Sequence, residues 1–345
     1  MLLDPLPLAI ELMDLDSTSG QEGAVIDFAE QRLEADGWTV QRIPVTPGRD
    51  SLLARSVPEP LVTLSTHIDT VPPYIPPRLE DGVLWGRGSC DAKGIAAAMW
   101  CAAERLRADG VPVALLLVVG EETCHDGAHA ANLVPNSSRV LINGEPTESK
   151  LAVGTKGALR AIVRCEGHAA HSAYPELGHS ATRDLVHLLA ELDGLQLPSD
   201  PLLGDTTVNI GSLAGGVADN VVAPWAEARL MARLVTPAEE VLGRLQEWVA
   251  GRATIEAGTT IPHVHLGTVP GFPTSVVAFA TDIPALGNWG VPYLFGPGSI
   301  HHAHRPDEHV RVDELRAAVD AYCRLAVAAL ASAEAGAEDG ESKQG

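Results

Sequence analysis

Basic residues are scarce in this chain: 24 lysines and arginines face 45 aspartates and glutamates, a formal net charge of −21 at pH 7. Nucleic-acid binding depends on a basic surface that neutralises phosphates, so we expect no nucleic-acid partner. No apolar run reaches the roughly 18 residues that a membrane-spanning helix needs. The amino terminus lacks the basic segment of a secretory signal. We therefore expect a cytoplasmic protein with no membrane partner.

Cysteines are few, odd in number and without a CxxC pair: Cys90, Cys101, Cys124, Cys165 and Cys323. This spacing argues against a disulfide framework and against a thiolate zinc site. Cys124 stands beside His125, which suggests a thiol nucleophile, but adjacent residues rarely align as nucleophile and base. What the chain does have is 46% hydrophobic residues, the balance of a folded globular protein.

Strand and helix patterns alternate in the first part of the chain. Apolar, β-rich runs at 61–65, 113–119 and 140–142 are typical of strands buried on both faces. The alanine-rich run 95–107 predicts a crossover helix between the first two of them. This alternation predicts an α/β domain with a mixed, largely parallel sheet between helices.

The pattern of predicted strands and helices changes near residue 155. From there the order strand, helix, strand, strand, helix predicts a small inserted α+β sandwich at 156–262. We place the first domain at 1–155 and 263–331, where an alanine-rich run from 312 predicts the last helix. The small, acidic and polar segment 332–345 is predicted to be a disordered tail.

Potential metal ligands follow each strand-like run of the first domain. The first run leads into His67 and Asp69, the second into Glu121 and Glu122, and the third into Glu145. The carboxyl ends of strands in an open α/β sheet line one crevice, so these residues should converge there. Taken singly, each pair is more typical of a solvated surface, but three such coincidences point to a metal site.

Two further segments supply ligand candidates. Asp91 lies in a glycine-rich loop, and a fourth apolar run leads into the histidines His301, His302 and His304. Imidazoles and carboxylates without a thiolate suit zinc, cobalt or manganese. The number of carboxylates suggests two ions, which can lower the pKa of a water molecule and hold both reacting oxygens. A carboxylate outside the ligand set would then take the proton of the water.

The motifs together resemble the metal-dependent family of acetylornithine deacetylase, succinyl-diaminopimelate desuccinylase, carboxypeptidase G and aminoacylase. They are Ser-Thr-His67-Ile-Asp69-Thr, Gly86-Arg-Gly-Ser-Cys-Asp91-Ala-Lys-Gly, Glu121-Glu122-Thr, Asn143-Gly-Glu145-Pro-Thr and Gly296-Pro-Gly-Ser-Ile-His-His-Ala-His304-Arg-Pro-Asp-Glu308. The last two look most like acetylornithine deacetylase. The resemblance covers about residues 8–330, and it implies a zinc-exopeptidase-like catalytic domain with a lid and dimerisation domain at 156–262.

The resemblance also implies the roles of single residues. The implied ligands are His67 and Glu145 for one ion, Glu122 and His304 for the other, and Asp91 as the bridge. The ions are expected to be Zn²⁺, with Co²⁺ or Mn²⁺ as alternatives.

Other residues match the family's catalytic and binding positions. Glu121 corresponds to the general base, and Asp69 to the carboxylate that orients His67. In the inserted domain, His171 corresponds to the residue that stabilises the tetrahedral intermediate, often from a partner subunit of a homodimer. The implied substrate-binding residues are Asn220, Arg233 and Gly298.

These matches predict hydrolysis of an amide next to a free carboxylate. The expected substrate is an N-acyl amino acid, as in the acetylornithine deacetylation of arginine biosynthesis. Glu145 favours this reading, because the family tends to carry Glu there in deacylases and carboxypeptidases. A carboxypeptidase or dipeptidase on the same scaffold is the alternative enzyme, and a catalytically silent small-molecule-binding homologue is the alternative of another class.

Overall fold

The structure, a computed structural model, describes residues 4–341, with side chains described through residue 335. The backbone packs as two compact units. Unit 1 contains the chain up to Val153, His265–Ser275 and the chain from Thr281, and unit 2 contains Gly154–Val264 and Val276–Ala280. The sequence prediction assigned 263–331 to one continuous part of the first domain, which is wrong at Val276–Ala280. This short return to unit 2 is apolar, like the runs that form the sheet of unit 1, so its composition does not mark a change of unit.

The described residues form seven α-helices. They are α1 (Pro5–Met13), α2 (Gly23–Ala35), α3 (Lys93–Ala108), α4 (Asp126–Ala131), α5 (Ala181–Ala190), α6 (Ala238–Val249) and α7 (Val312–Glu341). The strands are β1 (Thr39–Thr46), β2 (Arg49–Arg55), β3 (Val62–His67), β4 (Arg78–Glu80), β5 (Val83–Trp85), β6 (Val113–Val118), β7 (Val140–Gly144), β8 (Leu151–Thr155), β9 (Gly157–Glu166), β10 (Ser199–Asp200), β11 (Gly204–Asp205), β12 (Thr207–Gly215), β13 (Trp225–Leu234), β14 (Thr254–Ile261), β15 (Val264–His265), β16 (Thr274–Val277), β17 (Val291–Phe295) and β18 (His309–Arg311).

A six-stranded mixed sheet forms the centre of unit 1, in the order β1-β2-β6-β3-β7-β17. The four strands β6, β3, β7 and β17 run parallel, while β1 and β2 form an antiparallel edge. The continuous apolar runs at β3, β6 and β7 form buried parallel strands because helices cover both faces. The predicted mixed, largely parallel α/β sheet is confirmed.

Strand β6 is buried on both faces. Val113, Leu115 and Leu117 belong to the core that α1, α2, α3 and α7 cover. The alternate residues, including Leu116, belong to a second core with α4 and Trp289. Since side chains alternate across a strand, one continuous apolar run supplies both cores.

The last helix is longer than the sequence suggested. It starts at Val312 as predicted but continues to Glu341, so the assignment of 332–341 to a disordered tail is wrong. Alanine and glutamate dominate this segment, and both have high helix propensity. The rest of the predicted tail, residues 342–345, lies outside the described residues. No helix in the described part of the chain is long and apolar enough to cross a membrane.

Unit 2 contains a four-stranded antiparallel sheet in the order β12-β13-β9-β14. Helices α5 and α6 pack on one face of it, against the buried alternate residues of β9 and β13. The edge strand β12 is largely exposed, with Leu213 58% accessible. Strand β14 was not predicted, because six of its eight residues are exposed and polar or small.

Candidate metal centre

Three parallel strands bring the first ligand candidates to one sheet edge. His67 is the last residue of β3 and pairs with Val118 of β6. Glu121 and Glu122 follow β6 directly, and Glu145 follows β7, the neighbour of β3 on its other side. The carboxyl ends of parallel strands open into a common crevice, so the order of the sheet itself gathers these residues.

Asp91 lies between two histidines. Its Oδ1 is 3.0 Å from His67 Nε2, and its Oδ2 is 3.2 Å from His304 Nε2. His304 Nε2 is also 3.0 Å from Glu122 Oε1. One ligand atom each of His67, Asp91 and Glu122 lies within 4.8 Å of the others. Asp91 therefore presents one oxygen to each of two neighbouring positions, as a ligand shared by two cations must.

The structure distinguishes the three clustered histidines, which sequence reasoning from residue type could not do. His304 adopts a left-handed backbone conformation, with φ +64°, and reaches Asp91 and Glu122. His302 instead stacks on His309, with ring centroids 4.1 Å apart, and His301 is exposed. Of the three, His304 alone has a described contact with the acidic residues of the crevice.

Glu145 is a buried carboxylate, and one of its oxygens has no hydrogen-bond partner among the described residues. Its side chain lies in the interior of unit 1, and that oxygen is Oε1. Burial raises the pKa of the Glu145 carboxyl well above its usual range, and the negative charge of Glu121 adds to this effect. A buried polar atom without a partner is unfavourable, and a cation beside it would remove that penalty.

The donor set fits divalent cations. Five carboxylates and two imidazoles meet in the crevice, and no lysine or arginine forms an ion pair with these carboxylates in the described residues: Asp69, Asp91, Glu121, Glu122 and Glu145. Imidazole nitrogens and carboxylate oxygens without thiolates suit zinc, and also cobalt or manganese. The crevice could therefore hold metal, which would balance its excess of negative charge.

Asp69 contacts both His67 and the loop of the two glutamates. The His67 ring bonds through Nδ1 to the backbone oxygen of Asp69 at 3.0 Å, while the Asp69 carboxylate is 3.6 Å from that nitrogen. The carboxylate also accepts the backbone N–H groups of Glu121 and Glu122 and the hydroxyl of Ser19. Asp69 thus contacts His67 through both its main chain and its carboxylate, and the same carboxylate bonds to the backbone of the two glutamates.

A buried ion pair shapes the loop that carries Asp91. Glu308 Oε1 accepts the backbone N–H groups of Gly88, Cys90 and Asp91 at 2.9, 3.2 and 3.2 Å, and its other oxygen pairs with Arg87. Sequence reasoning quoted Glu308 within a motif but gave it no role. One buried carboxylate therefore ties the loop of Asp91 to the segment that follows His304.

Glu121 is a largely buried carboxylate with a perturbed pKa. Its side chain is 12% exposed. Burial raises the pKa of the Glu121 carboxyl well above its usual range; His67 opposes this shift, and Asp282, Asp91 and Glu122 add to it. A carboxylate whose pKa is raised accepts a proton readily near neutral pH.

The predicted residues of the inserted domain lie in unit 2. His171 is exposed, pairs in a β-bridge with Val221, and its Nδ1 accepts the backbone N–H of Ala173 at 3.1 Å. The backbone oxygen of Asn220 accepts from Ser172 at 3.0 Å. The two segments singled out in the sequence are thus brought side by side within this unit.

Of the other two predicted substrate residues, Arg233 belongs to unit 2 and Gly298 to unit 1. Arg233 lies on β13, on the face opposite the buried residues that pack against α5 and α6. Gly298, in unit 1, has φ +77°, and an added Cβ would lie 2.7 Å from Cys90 Sγ. A side chain at position 298 would therefore be both strained and crowded.

Cys124 does not pair with its neighbour as a nucleophile would. The thiol is exposed, and the His125 ring turns to Asp282, with Nδ1 2.9 Å from Oδ1. Both His125 and Asp282 were missed as site residues. Their signal was weak, because 157 residues separate them in the chain.

Comparison with known proteins identifies the family. Residues 63–328 match the family model described as peptidase family M20/M25/M40. The chain belongs to this family of metallopeptidases and related hydrolases. A probable carboxypeptidase of Aspergillus fumigatus is 37% identical over 93% of this chain and 85% of its own length. The relatives support the family but not acetylornithine deacetylase in particular.

Solved structures share the fold. Aminopeptidase PepT from Bacillus cereus has a TM-score of 0.78 and 19% identity, covering 95% of this chain and 98% of that one. A Bacillus subtilis protein described as a dinuclear metal binding peptidase of the M20 family has a TM-score of 0.70 and 16% identity, covering 96% and 98%. These likenesses confirm the predicted fold class.

Proposed function

We propose that this protein hydrolyses an amide bond next to a free carboxylate, using two divalent cations held by His67, Asp91, Glu122, Glu145 and His304. The observation that carries the proposal is Asp91, whose two oxygens face two different histidines beside the buried carboxylate of Glu121. Bound cations would lower the pKa of water and polarise the amide carbonyl. Zinc is the cation we favour for this nitrogen and oxygen donor set.

The residues of the chain have distinct tasks in this reaction. Glu121 takes a proton from the attacking water and later gives it to the leaving amine, which its raised pKa favours. Asp69 keeps Glu121 and Glu122 in place through their backbone N–H groups. His171 donates a hydrogen bond to the developing oxyanion, and Arg233 pairs with the substrate carboxylate.

The substrate class we favour first is a dipeptide or a short peptide with a free carboxyl terminus. The Aspergillus relative, named a probable carboxypeptidase, supports this choice. The second candidate is an N-acyl amino acid, with N-acetylornithine first, since the segments Asn143–Thr147 and Gly296–Glu308 resemble those of acetylornithine deacetylase. Both classes share an amide beside a carboxylate.

A matched substrate panel tests the proposal. Dipeptides, N-acetylornithine, N-succinyl-diaminopimelate and other N-acyl amino acids would be assayed with zinc, cobalt or manganese, each beside its carboxyl-terminal amide. A charge-assisted contact contributes about 1.5–3 kcal/mol, so kcat/KM should fall by roughly 10- to 100-fold on amidation. Arg233→Met should raise KM for the free acids and leave the amides unaffected. A metal-loaded protein inactive on the whole panel would instead be a silent binding homologue.

We also infer a homodimer formed through unit 2, with His171 acting in the site of the partner subunit. The exposed edge strand β12, with Ile210 39% and Leu213 58% accessible, supports this, because an exposed edge can pair with a second copy. Light scattering should give twice the mass of the chain. Mixing inactive Glu121→Gln and His171→Ala proteins should restore about half of the wild-type activity per heterodimer. No recovery after verified exchange would mean that each subunit uses its own histidine.

A further inference from the structure

The loop that carries Glu121 and Glu122 closes on His125. The backbone N–H of His125 donates to Gly120 O at 2.8 Å, and those of Thr123 and Cys124 reach the same oxygen. His125 itself adopts the left-handed conformation, with φ 56° and ψ 24°. Few residues other than glycine adopt this conformation, and histidine, asparagine and aspartate do so more often than the rest. His125 ends the turn and immediately precedes α4.

Asp282 contacts this imidazole from a segment 157 residues further along the chain. Its side chain is 1% exposed, and its Oδ1 is 2.9 Å from His125 Nδ1. Because a carboxylate oxygen accepts, the proton on this ring nitrogen points to Asp282. The second oxygen, Oδ2, is buried without a hydrogen-bond partner among the described residues. Burying a carboxylate with only one hydrogen bond is unfavourable, because the other oxygen loses its contact with water. The one described hydrogen bond of the Asp282 carboxylate is made with His125.

The same nitrogen of His125 is 3.9 Å from Glu121 Oε1. The imidazole therefore lies beside both carboxylates, bonded to Asp282 and in contact with Glu121. A glutamate has several rotatable bonds, and a fixed ring against its carboxylate restricts the rotamers that it can adopt.

We propose that His125, oriented by Asp282, is a positioning residue that holds the Glu121 carboxylate in the conformation used for proton transfer. This inference rests on the proposed function, in which Glu121 is the base. It assigns a task to two residues outside the ligand set and outside the motifs that define the family resemblance. His125 acts through Glu121, so its removal should affect the rate and leave substrate and metal binding unchanged.

The left-handed backbone decides which variants test this. Alanine at position 125 would be strained, whereas glycine removes the ring and tolerates φ 56°. Asparagine also tolerates it and places a side-chain N–H near the position of Nδ1. We expect kcat of His125→Gly to fall about 10- to 100-fold, with KM and two-ion metal affinity unchanged. His125→Asn should recover most of the rate. His129→Ala, an exposed histidine on α4, is the control and should match wild type.

A double-mutant cycle separates positioning from structural damage. In a Glu121→Gln background, His125→Gly should have no further effect on kcat, because the base that it positions is gone. Asp282→Ala should likewise add nothing to His125→Gly. Equal losses in both backgrounds, or lower metal affinity in His125→Gly, would overturn the inference while leaving the proposed function standing. Wild-type protein inactive on every amide would overturn both.

Discussion

Glu308 gives the sharpest test of how the Asp91 loop is held. Glu308→Ala would leave the buried Arg87 guanidinium without its partner, and breaking a buried ion pair costs about 3–5 kcal/mol. It would also remove the acceptor of three backbone N–H groups, each worth about 1 kcal/mol where water cannot replace it. Water can enter the space that the side chain leaves and replace part of these bonds. We therefore expect the free energy of unfolding to fall by about 5 kcal/mol.

Glu308→Gln separates the two contributions. Its amide oxygen can still accept the three N–H groups, but its NH2 group then faces Arg87, so the charge and the hydrogen bond at that position are lost, at about 1.5–3 kcal/mol. Asp307→Asn is the matched control. Asp307 pairs with Arg305 at the surface, where ion pairs contribute little, so this variant should unfold like wild type.

Urea unfolding and amide hydrogen exchange would measure the effect. The two units need not unfold together, so exchange at the N–H groups of Gly88, Cys90 and Asp91 is the more direct reading. Protection should be lost in Glu308→Ala, largely kept in Glu308→Gln and unchanged in Asp307→Asn. Slow exchange in Glu308→Ala, with an unfolding midpoint like that of wild type, would refute the reasoning.

Three further outcomes are expected. Asp91→Ala should lose both ions, since one ligand serves each; elemental analysis after dialysis would check this, and retention of two tightly held ions would contradict the bridge. Gly94→Ala should abolish folding, because the new Cβ would lie 2.1 Å from the backbone oxygen of Ser89. Gly243→Ala is the control in α6, where the space around the glycine is open. It should stabilise the protein by roughly 0.5–1 kcal/mol in thermal melts. Tyr322→Phe leaves the Phe295 carbonyl without its 2.9 Å hydrogen bond and should cost about 1 kcal/mol in urea unfolding with activity retained; unchanged stability would mean that water replaces the hydroxyl.

The sheet of unit 1 was predictable because its buried strands need continuous runs of apolar residues, which are visible in the sequence. Strands β3, β6 and β7 are continuous apolar runs, and polar residues follow them at the point where the buried sheet ends. Strand β14 escaped notice because its burial is one-sided and weak. The extension of α7 was missed for another reason. Acidic and small residues are common both in disordered segments and in exposed helices, so the composition of 332–341 does not distinguish the two.

Ligand candidates could be gathered from strand ends, but their exact partners could not. Asp69 illustrates the limit: its position two residues after β3 predicts contact with His67, but not the bonds that its carboxylate also makes with the backbone of Glu121 and Glu122. The pair of His125 and Asp282 depends on a three-dimensional return of the chain that no local pattern encodes. Tertiary packing determines the buried polar contacts between distant segments, and a single sequence does not show how segments pack.

The placement of His304 has a consequence for how the protein is made. Proteins are synthesised from the amino terminus, and domains begin to fold as they leave the ribosome. His67, Asp91 and Glu122 are translated early, but His304 follows β17, after the chain has passed through unit 2 and returned. A nascent chain can therefore build the sheet from β1 to β7 and gather most of the acidic crevice while its last histidine is still unmade. The complete set of crevice residues can therefore assemble only after unit 2 and β17 have been synthesised.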